Sequence, residues 1–441
     1  YELHDPELIA ELLKLTQAGK AHVILSTAGA FDPNPKKKVI PPPPKLPKVW
    51  DTENHAARAA LHEAFPNNVQ DRLFNNDGHI GHNKFTVYSE NGVAKAVLSG
   101  STNWTETGLC TQSNNAILIE DDKVAALYLA YWNGLHADAQ PAGVEAGGGK
   151  NAGFAPSDGV QAQPLRTANA VLAAPVVLAD GKTTVEVAFS PNTKQTSKSA
   201  ATPPDLDRVY ALMRGAKDAI LFLTFLPGRG GQDDIIGVAA DLAKAKPGLL
   251  VQGACSDPSA LPPPAVAGEP TTYVEQPSGK PKKLPPQAIW WPQGQDGRVV
   301  MIRAAAVTQA NGDLKPELLT AGHAIIHDKI IVLDPLDPVA CTVITGSHNL
   351  GFKASYANDE NLLIIRGNPA LAISYAIHVL DVYDHYLMRA KLQDQLRKSL
   401  IATGKPPPAS IGGGFLKTTP VWQDRWFPAA PPPPTSWAYF V

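Results

Sequence analysis

Two stretches of the 441-residue chain, "HNKFTVYSE" from His82 and "HDKIIVLD" from His327, carry a His-x-Lys pair that runs directly into an apolar, strand-like segment. Residues two apart in a strand point to the same side. His82 and Lys84 therefore share one face while Phe85 and Val87 face a core, and His327 and Lys329 pair in the same way opposite Ile330 and Val332. Each stretch is followed by a second apolar strand that ends in Gly-Ser-x-Asn. "LSGSTN" supplies Gly100, Ser101 and Asn103, and "ITGSHN" supplies Gly346, Ser347 and Asn349. The step from His to Asn is 21 residues in the first stretch and 22 in the second. That distance suits a strand, a turn and a neighbouring strand, which sets Asn beside the His-Lys pair. A third matching pair follows, "QSNNAILI" and "NDENLLII". A single His-x-Lys is an ordinary strand end, but two copies trailed by the same pattern at nearly the same distance mark a diverged internal repeat.

The later copy is the easier to read. "TTVEVAFS" alternates as a strand, "DRVYALMRGAKDAILFLTFL" gives an amphipathic helix and a strand, and "IIGVAADLAKA" and "GLLVQGACSD" give a second helix and strand. Successive βα units of this kind predict an α/β fold, with a mixed, mostly parallel sheet flanked by helices in each half. The opening "YELHDPELIAELLKLTQAGKAHVILSTAG" aligns with the passage from Phe225 to Ala254, so the first copy starts partway through its own unit and reads as N-terminally truncated. The organisation expected is a first repeat over 1–140, a linker over 141–175, a second repeat over 176–400 and a proline-rich tail over 401–441, whose aromatic residues dock on the body. "PNPKKKVIPPPPKLPKVW" and "PSGKPKKLPPQAIWWPQG" read as semi-rigid surface loops, since proline-dense segments form neither helix nor central strand.

A formal net charge of −2 points to no overall basic field for nucleic acid or anionic membrane, and no apolar run is long enough to span a bilayer. The three cysteines, Cys110, Cys255 and Cys341, follow no disulfide or zinc spacing. His79, His323 and His348 add to the histidine count without an HExxH or CxxC pattern, and His79 and His323 read as turn residues ahead of their strands. No targeting segment is visible, and the compartment stays open between secreted and cytoplasmic.

With these residues in place, the chain resembles the phospholipase D superfamily, whose signature is H-x-K-x4-D followed by G-S/G-x-N. The second copy matches at His327, Lys329, Asp334, Gly346, Ser347 and Asn349, with Glu360 in the acidic position of the third stretch. The first matches at His82, Lys84, Gly100, Ser101 and Asn103. It departs at Ser89, where the family has Asp, and at Asn114, where the later copy has Glu360.

The resemblance implies two α/β halves about a pseudo-two-fold axis, with both His-x-Lys strands at one cleft. It implies metal-independent phosphodiester cleavage or transfer through a phosphohistidine, with no cofactor. One histidine of His82 and His327 is then the nucleophile, by family default that of the first motif, and the other the acid/base. Lys84, Lys329, Asn103 and Asn349 hold the non-bridging oxygens, and Glu360 orients a catalytic histidine, either of the two. Asn114 offers an uncharged substitute in the other half. Asp334 faces away from His327 along its strand and reads as structural, with Ser89 replacing a dispensable salt bridge.

The substrate implied is a phosphodiester. A phospholipid met at a transient membrane surface is favoured by two full-sized halves, the apolar loop with Trp290 and Trp291, and the absence of net positive charge. A nuclease of the same superfamily is the alternative, encouraged by "GSTNWTETG" followed by "SNNAILI". A catalytically inactive scaffold is the third reading, encouraged by Ser89 and Asn114.

Overall fold

The computed structural model describes residues 1–26, 53–72, 74, 79–138, 161–193, 201–227, 234–256, 273–274, 281–290, 299–304, 307 and 326–406. Most of the two proline-rich loops, His323, Trp291 and the tail from 407 onward lie outside the described residues. The fold is α/β with mixed sheets flanked by helices, as the sequence predicts. The chain forms two compact units. The first comprises Tyr1–Arg208, Gly230–Gln232 and Thr345–Ile364, and the second Val209–Arg229, Asp233–Ile344 and Ile365–Val441.

In the first unit, the helix Pro6–Gln17 starts where Asp5 accepts from the Glu7 and Leu8 amides with proline in the first turn. Its apolar side, Ile9, Leu12 and Leu13, packs on Leu3, Leu25 and Leu61. The strand Val23–Ser26 pairs in parallel with Val69–Arg72. Asn54 ties the extended Tyr1–Leu3 segment to this sheet: its Oδ1 accepts from the Leu3 amide at 2.8 Å, and its Nδ2 donates to the carbonyls of Ser26 and Tyr1.

The first motif lies on an antiparallel three-stranded sheet of Phe85–Glu90, Val93–Gly100 and Ala116–Ile119. Its first hairpin closes at Asn91-Gly92, both at positive φ, the Asn-Gly chemistry that a tight two-residue turn needs. The helix Asp122–Asp138 covers it, burying Val124, Tyr128, Tyr131 and Leu135 at helical spacing. Phe85 points inward against Tyr128 and Tyr131, with ring centroids 5.1 and 6.0 Å away, so Lys84 faces the other side. Part of the segment expected as a linker over 141–175 is regular structure: Gln163–Asn169 is helical and buries Leu165 and Arg166. Its proline in the first turn and the apolar Leu165, packed with Tyr131 and Leu135, account for it.

In the second unit, Ala219–Thr224 and Leu250–Cys255 pair in parallel through the helix Ile235–Ala245, and both strands are buried throughout. Continuous apolar runs such as "AILFLT" are what a strand covered on both faces requires. Ile330–Leu333, which follows the second His-x-Lys, pairs antiparallel with Ala219–Thr224 and with Thr342–Gly346. Parallel pairing thus joins the strands of the βα units, while the motif strands and the short strands Val176–Val177, Tyr273–Val274 and Ile289–Trp290 pair antiparallel. The 35-residue helix Pro369–Thr403 lays Ala376, Val379, Tyr383, Tyr386 and Ala390 on Leu221, Leu223, Ile330 and Val332, and stops at Gly404 in the left-handed conformation.

Asp334 is structural in the way the sequence suggests, by a different device. It sits at φ 44°, and its carboxylate accepts from the amides of Lys217, Asp218 and Ala219 at 2.8–3.2 Å. This aspartate is a cap for the start of the neighbouring strand.

Candidate active site

The two Gly-Ser turns share one pair of bonds. The Ser101 amide donates to the Asn115 carbonyl at 2.9 Å, and the Asn115 amide donates to Ser101 Oγ at 3.0 Å. The Ser347 amide donates to the Asn361 carbonyl at 3.1 Å, and the Asn361 amide donates to Ser347 Oγ at 3.0 Å. This close approach is why glycine precedes each serine. A Cβ on Gly346, at φ +133°, would lie 2.4 Å from the Asn361 carbonyl oxygen, and one on Gly100 would lie 2.2 Å from that of Asn115. Each serine hydroxyl then reaches the variable acidic position: Ser101 Oγ donates to Asn114 Oδ1 at 2.9 Å, and Ser347 Oγ donates to Glu360 at 3.0 Å.

Glu360, from the second copy, meets His82, from the first. The distance from His82 Nδ1 to Glu360 Oε2 is 2.7 Å, with both side chains buried. The backbone sets this pairing. The His82 amide donates to the Asp359 carbonyl at 2.9 Å, the Asp359 amide donates to the Ile80 carbonyl at 2.9 Å, and Gly81 bridges Asp359 in parallel register. Arg72 fixes the same junction by gripping both carboxylate oxygens of Asp359, at 2.5 and 3.1 Å, and Asp138 at 3.0 Å. The sequence leaves open which histidine Glu360 serves, and the structure answers His82.

All the donors around Glu360 point at its oxygens. Asn358 Nδ2 donates to Oε1 at 3.0 Å, while Ser347 Oγ and His82 Nδ1 meet Oε2. Burial raises the Glu360 pKa, and His348 and Lys84 pull it back. A carboxylate accepting at Nδ1 fixes the tautomer that leaves the lone pair on Nε2, and it can compensate positive charge that develops on the ring.

The lysines are placed alike in both motifs. Lys84 Nζ donates to the His82 carbonyl at 2.6 Å, and Lys329 Nζ donates to the His327 carbonyl at 2.6 Å. Lys84 lies 4.7 Å from the Tyr1 ring, which is 5.0 Å from the His82 ring. Lys329 lies 5.1 Å from the Phe225 ring, which is 4.9 Å from the His327 ring. Burial lowers the Lys84 pKa to about 7 against the opposing pull of Glu360 and Glu2.

Asn103 is buried. Its Nδ2 donates to Glu2 Oε2 at 2.5 Å, and its Oδ1 has no hydrogen-bond partner among the described residues. Asn349 likewise keeps a buried Oδ1 without a partner among the described residues. In the first unit, His82, Lys84, Asn103 and Glu360 are joined through these contacts, and Asn349 follows Ser347 in its turn. His327 and Lys329 lie in the second unit. The Asn114 amide donates to the Gly108 carbonyl at 2.9 Å as well as accepting from Ser101, so it braces its own turn.

The extra histidines have other posts. His79 Nδ1 lies 2.9 Å from Gln161 and 3.1 Å from the Ala357 carbonyl. The buried His348 accepts from the Leu350 amide and meets Asp205 and Ser355, each at 3.2 Å.

Sequence reasoning missed three contributors. Tyr1 and Phe225 were legible in principle, because the two repeats align there. Glu2 left no signal, since its counterpart is Leu226.

No family model matches the chain, and no curated protein matches it. Solved structures do. Phosphatidylserine synthase of Haemophilus influenzae Rd KW20 is similar over 92% of this chain and 87% of its own, at 13% identity and a TM-score of 0.50. Nuc of Salmonella typhimurium, a phospholipase D family member, matches 46% of this chain and 95% of its own, at 21% identity and a TM-score of 0.24. Polyphosphate kinase of Porphyromonas gingivalis matches 87% of this chain and 44% of its own, at 13% identity and a TM-score of 0.41. The chain shares the fold of that phosphatidylserine synthase.

Proposed function

We propose that this protein is a phospholipase D-like phosphodiesterase that cleaves or transfers the head group of a phospholipid through a phosphohistidine. The observation that carries this reading is the buried His82–Glu360 pair, 2.7 Å apart, beside the buried Lys84 and Asn103. With Nδ1 committed to Glu360, Nε2 of His82 is the nucleophile. It attacks phosphorus as the P–O bond to the leaving group breaks, and His327 donates the proton that the alkoxide takes up. His327 then withdraws a proton from water or an alcohol, which attacks the phosphohistidine and frees His82. Glu360 offsets the positive charge on the phosphorylated ring. Lys84, Lys329, Asn103 and Asn349 hold the non-bridging oxygens as charge shifts onto them. Because the lysines carry the positive charge, activity survives exhaustive EDTA.

The assignment is tested by assaying phosphatidylcholine, phosphatidylglycerol, and single- and double-stranded DNA side by side, with His82→Ala and His327→Ala as controls. Head-group release that both variants abolish is the expected result. Cleavage of DNA without lipid turnover makes the protein a nuclease, and no turnover of any phosphodiester makes it a scaffold.

A further inference from the structure

Glu2 occupies a place that the proposed chemistry leaves unexplained. Its carboxylate takes the hydrogen bond of Asn103 Nδ2, the donor that the reading above assigns to a phosphate oxygen, and it interacts electrostatically with Lys84. The placement is built by the backbone on both sides. The Trp104 amide donates to the Glu2 carbonyl at 3.1 Å, the His4 amide donates to the Trp104 carbonyl at 3.1 Å, and the Leu3 amide donates to Asn54. The repeat supplies an internal comparison: at the equivalent position, after Phe225, stands the exposed Leu226. A carboxylate is therefore present beside one set of phosphate-binding groups and absent from its sequence counterpart beside the other.

A carboxylate and a phosphate oxygen compete for the same donors. We propose that Glu2 holds the anion position at Asn103 and Lys84 in the resting protein and has to be displaced before a phosphodiester binds, so that Glu2 sets the affinity and charge selectivity of this part of the site. This rests on the reading of Asn103 and Lys84 as phosphate ligands. The side chains facing Glu2 are Lys84, Glu53 and His4, the last lying 3.4 Å from Glu53. Burial raises the Glu2 pKa and the Lys84 charge lowers it, so the carboxylate is poised to take up a proton as an anion arrives. A second negative charge on the bound group adds its own repulsion from the Glu2 carboxylate to that of the first. The site thereby favours a monoanionic diester over a dianionic monoester and helps expel such a product.

Inorganic sulfate tests this well, because its charge does not change between pH 5 and 8. Its binding is measured by calorimetry on the wild type, Glu2→Gln, Glu2→Asp and Asn103→Ala, with folding checked by circular dichroism. Wild type and Glu2→Gln both bind more tightly as pH falls through about 7, where Lys84 gains its proton, and the wild type gains further as Glu2 is protonated. Glu2→Gln binds about tenfold more tightly than the wild type at pH 7.5, the equivalent of one pKa unit of competition, and the gap narrows as pH falls and Glu2 takes up a proton. Glu2→Asp, which keeps the charge but withdraws it by one methylene, falls between them, and it decides the matter if Glu2→Gln does not fold. Equal sulfate affinity in the wild type and the Glu2 variants at every pH, with weaker binding in Asn103→Ala, overturns the role of Glu2 and leaves the site reading standing. Sulfate binding unaffected by Asn103→Ala overturns the site reading and this inference with it.

Discussion

Replacing Glu360 by glutamine removes the charge behind His82 while keeping the shape. Three donors converge on the carboxylate, and an amide can satisfy them if its oxygen stays toward His82 Nδ1 and Ser347 Oγ. Its NH2 then faces Asn358, whose Oδ1 is buried without a partner among the described residues and can accept once that amide turns over. The variant is expected to fold, and what it loses is a hydrogen bond to an ionised group. Such a bond is worth about 1.5–3 kcal/mol. If that charge serves the positive ring only in the transition state, kcat falls roughly 10- to 150-fold. Without the carboxylate the imidazolium is less favoured, so the acidic limb of the rate profile moves to lower pH. Bis(p-nitrophenyl) phosphate reads both effects without knowledge of the natural substrate. A rate within about twofold of wild type and an unmoved profile would show that Glu360 is structural and refute the reasoning. Glu360→Ala, which strands three donors, should instead lower stability by about 3 kcal/mol or more.

Other perturbations follow from the same geometry. Arg72→Met leaves Asp359 buried without its bidentate partner and should cost about 3–5 kcal/mol, read in a denaturant titration. Gly346→Ala forces a Cβ against the Asn361 carbonyl and should prevent the second Gly-Ser turn from closing, seen as loss of activity with a lowered Tm. Lys84 is protonated below about 7 and neutral above it, so kcat/KM should decline as pH rises through 7. Lys84→Arg, which stays charged, should remove that decline at a lower overall rate.

Much of the architecture was legible because hydrophobic periodicity and the repeat agree. "AILFLT" and "LVQGAC" read as fully covered strands, and "IIGVAADLAKA" as the helix joining them, because burial on both faces leaves no room for alternation. The candidate site was legible wherever its residues recur: His82 with His327, Lys84 with Lys329, Asn103 with Asn349. Asymmetric features were not. The crossing of Glu360 to His82 depends on the bridge between Gly81 and Asp359, a pairing across more than half the chain that no local pattern encodes. The role of Asp334 rests on three backbone amides, which no side-chain motif reports. Glu2 has no counterpart in the other repeat, so comparing the copies could not find it.

The central claim is that His82 is the nucleophile. It is tested by quenching the reaction with bis(p-nitrophenyl) phosphate at early times under alkaline conditions that preserve phosphohistidine, then mapping the adduct by mass spectrometry in the wild type and in His327→Ala. The account predicts a p-nitrophenyl-phosphoryl group on the peptide carrying His82, accumulating in His327→Ala because water is no longer activated. An adduct confined to another residue, or turnover that survives in His82→Ala, would contradict it.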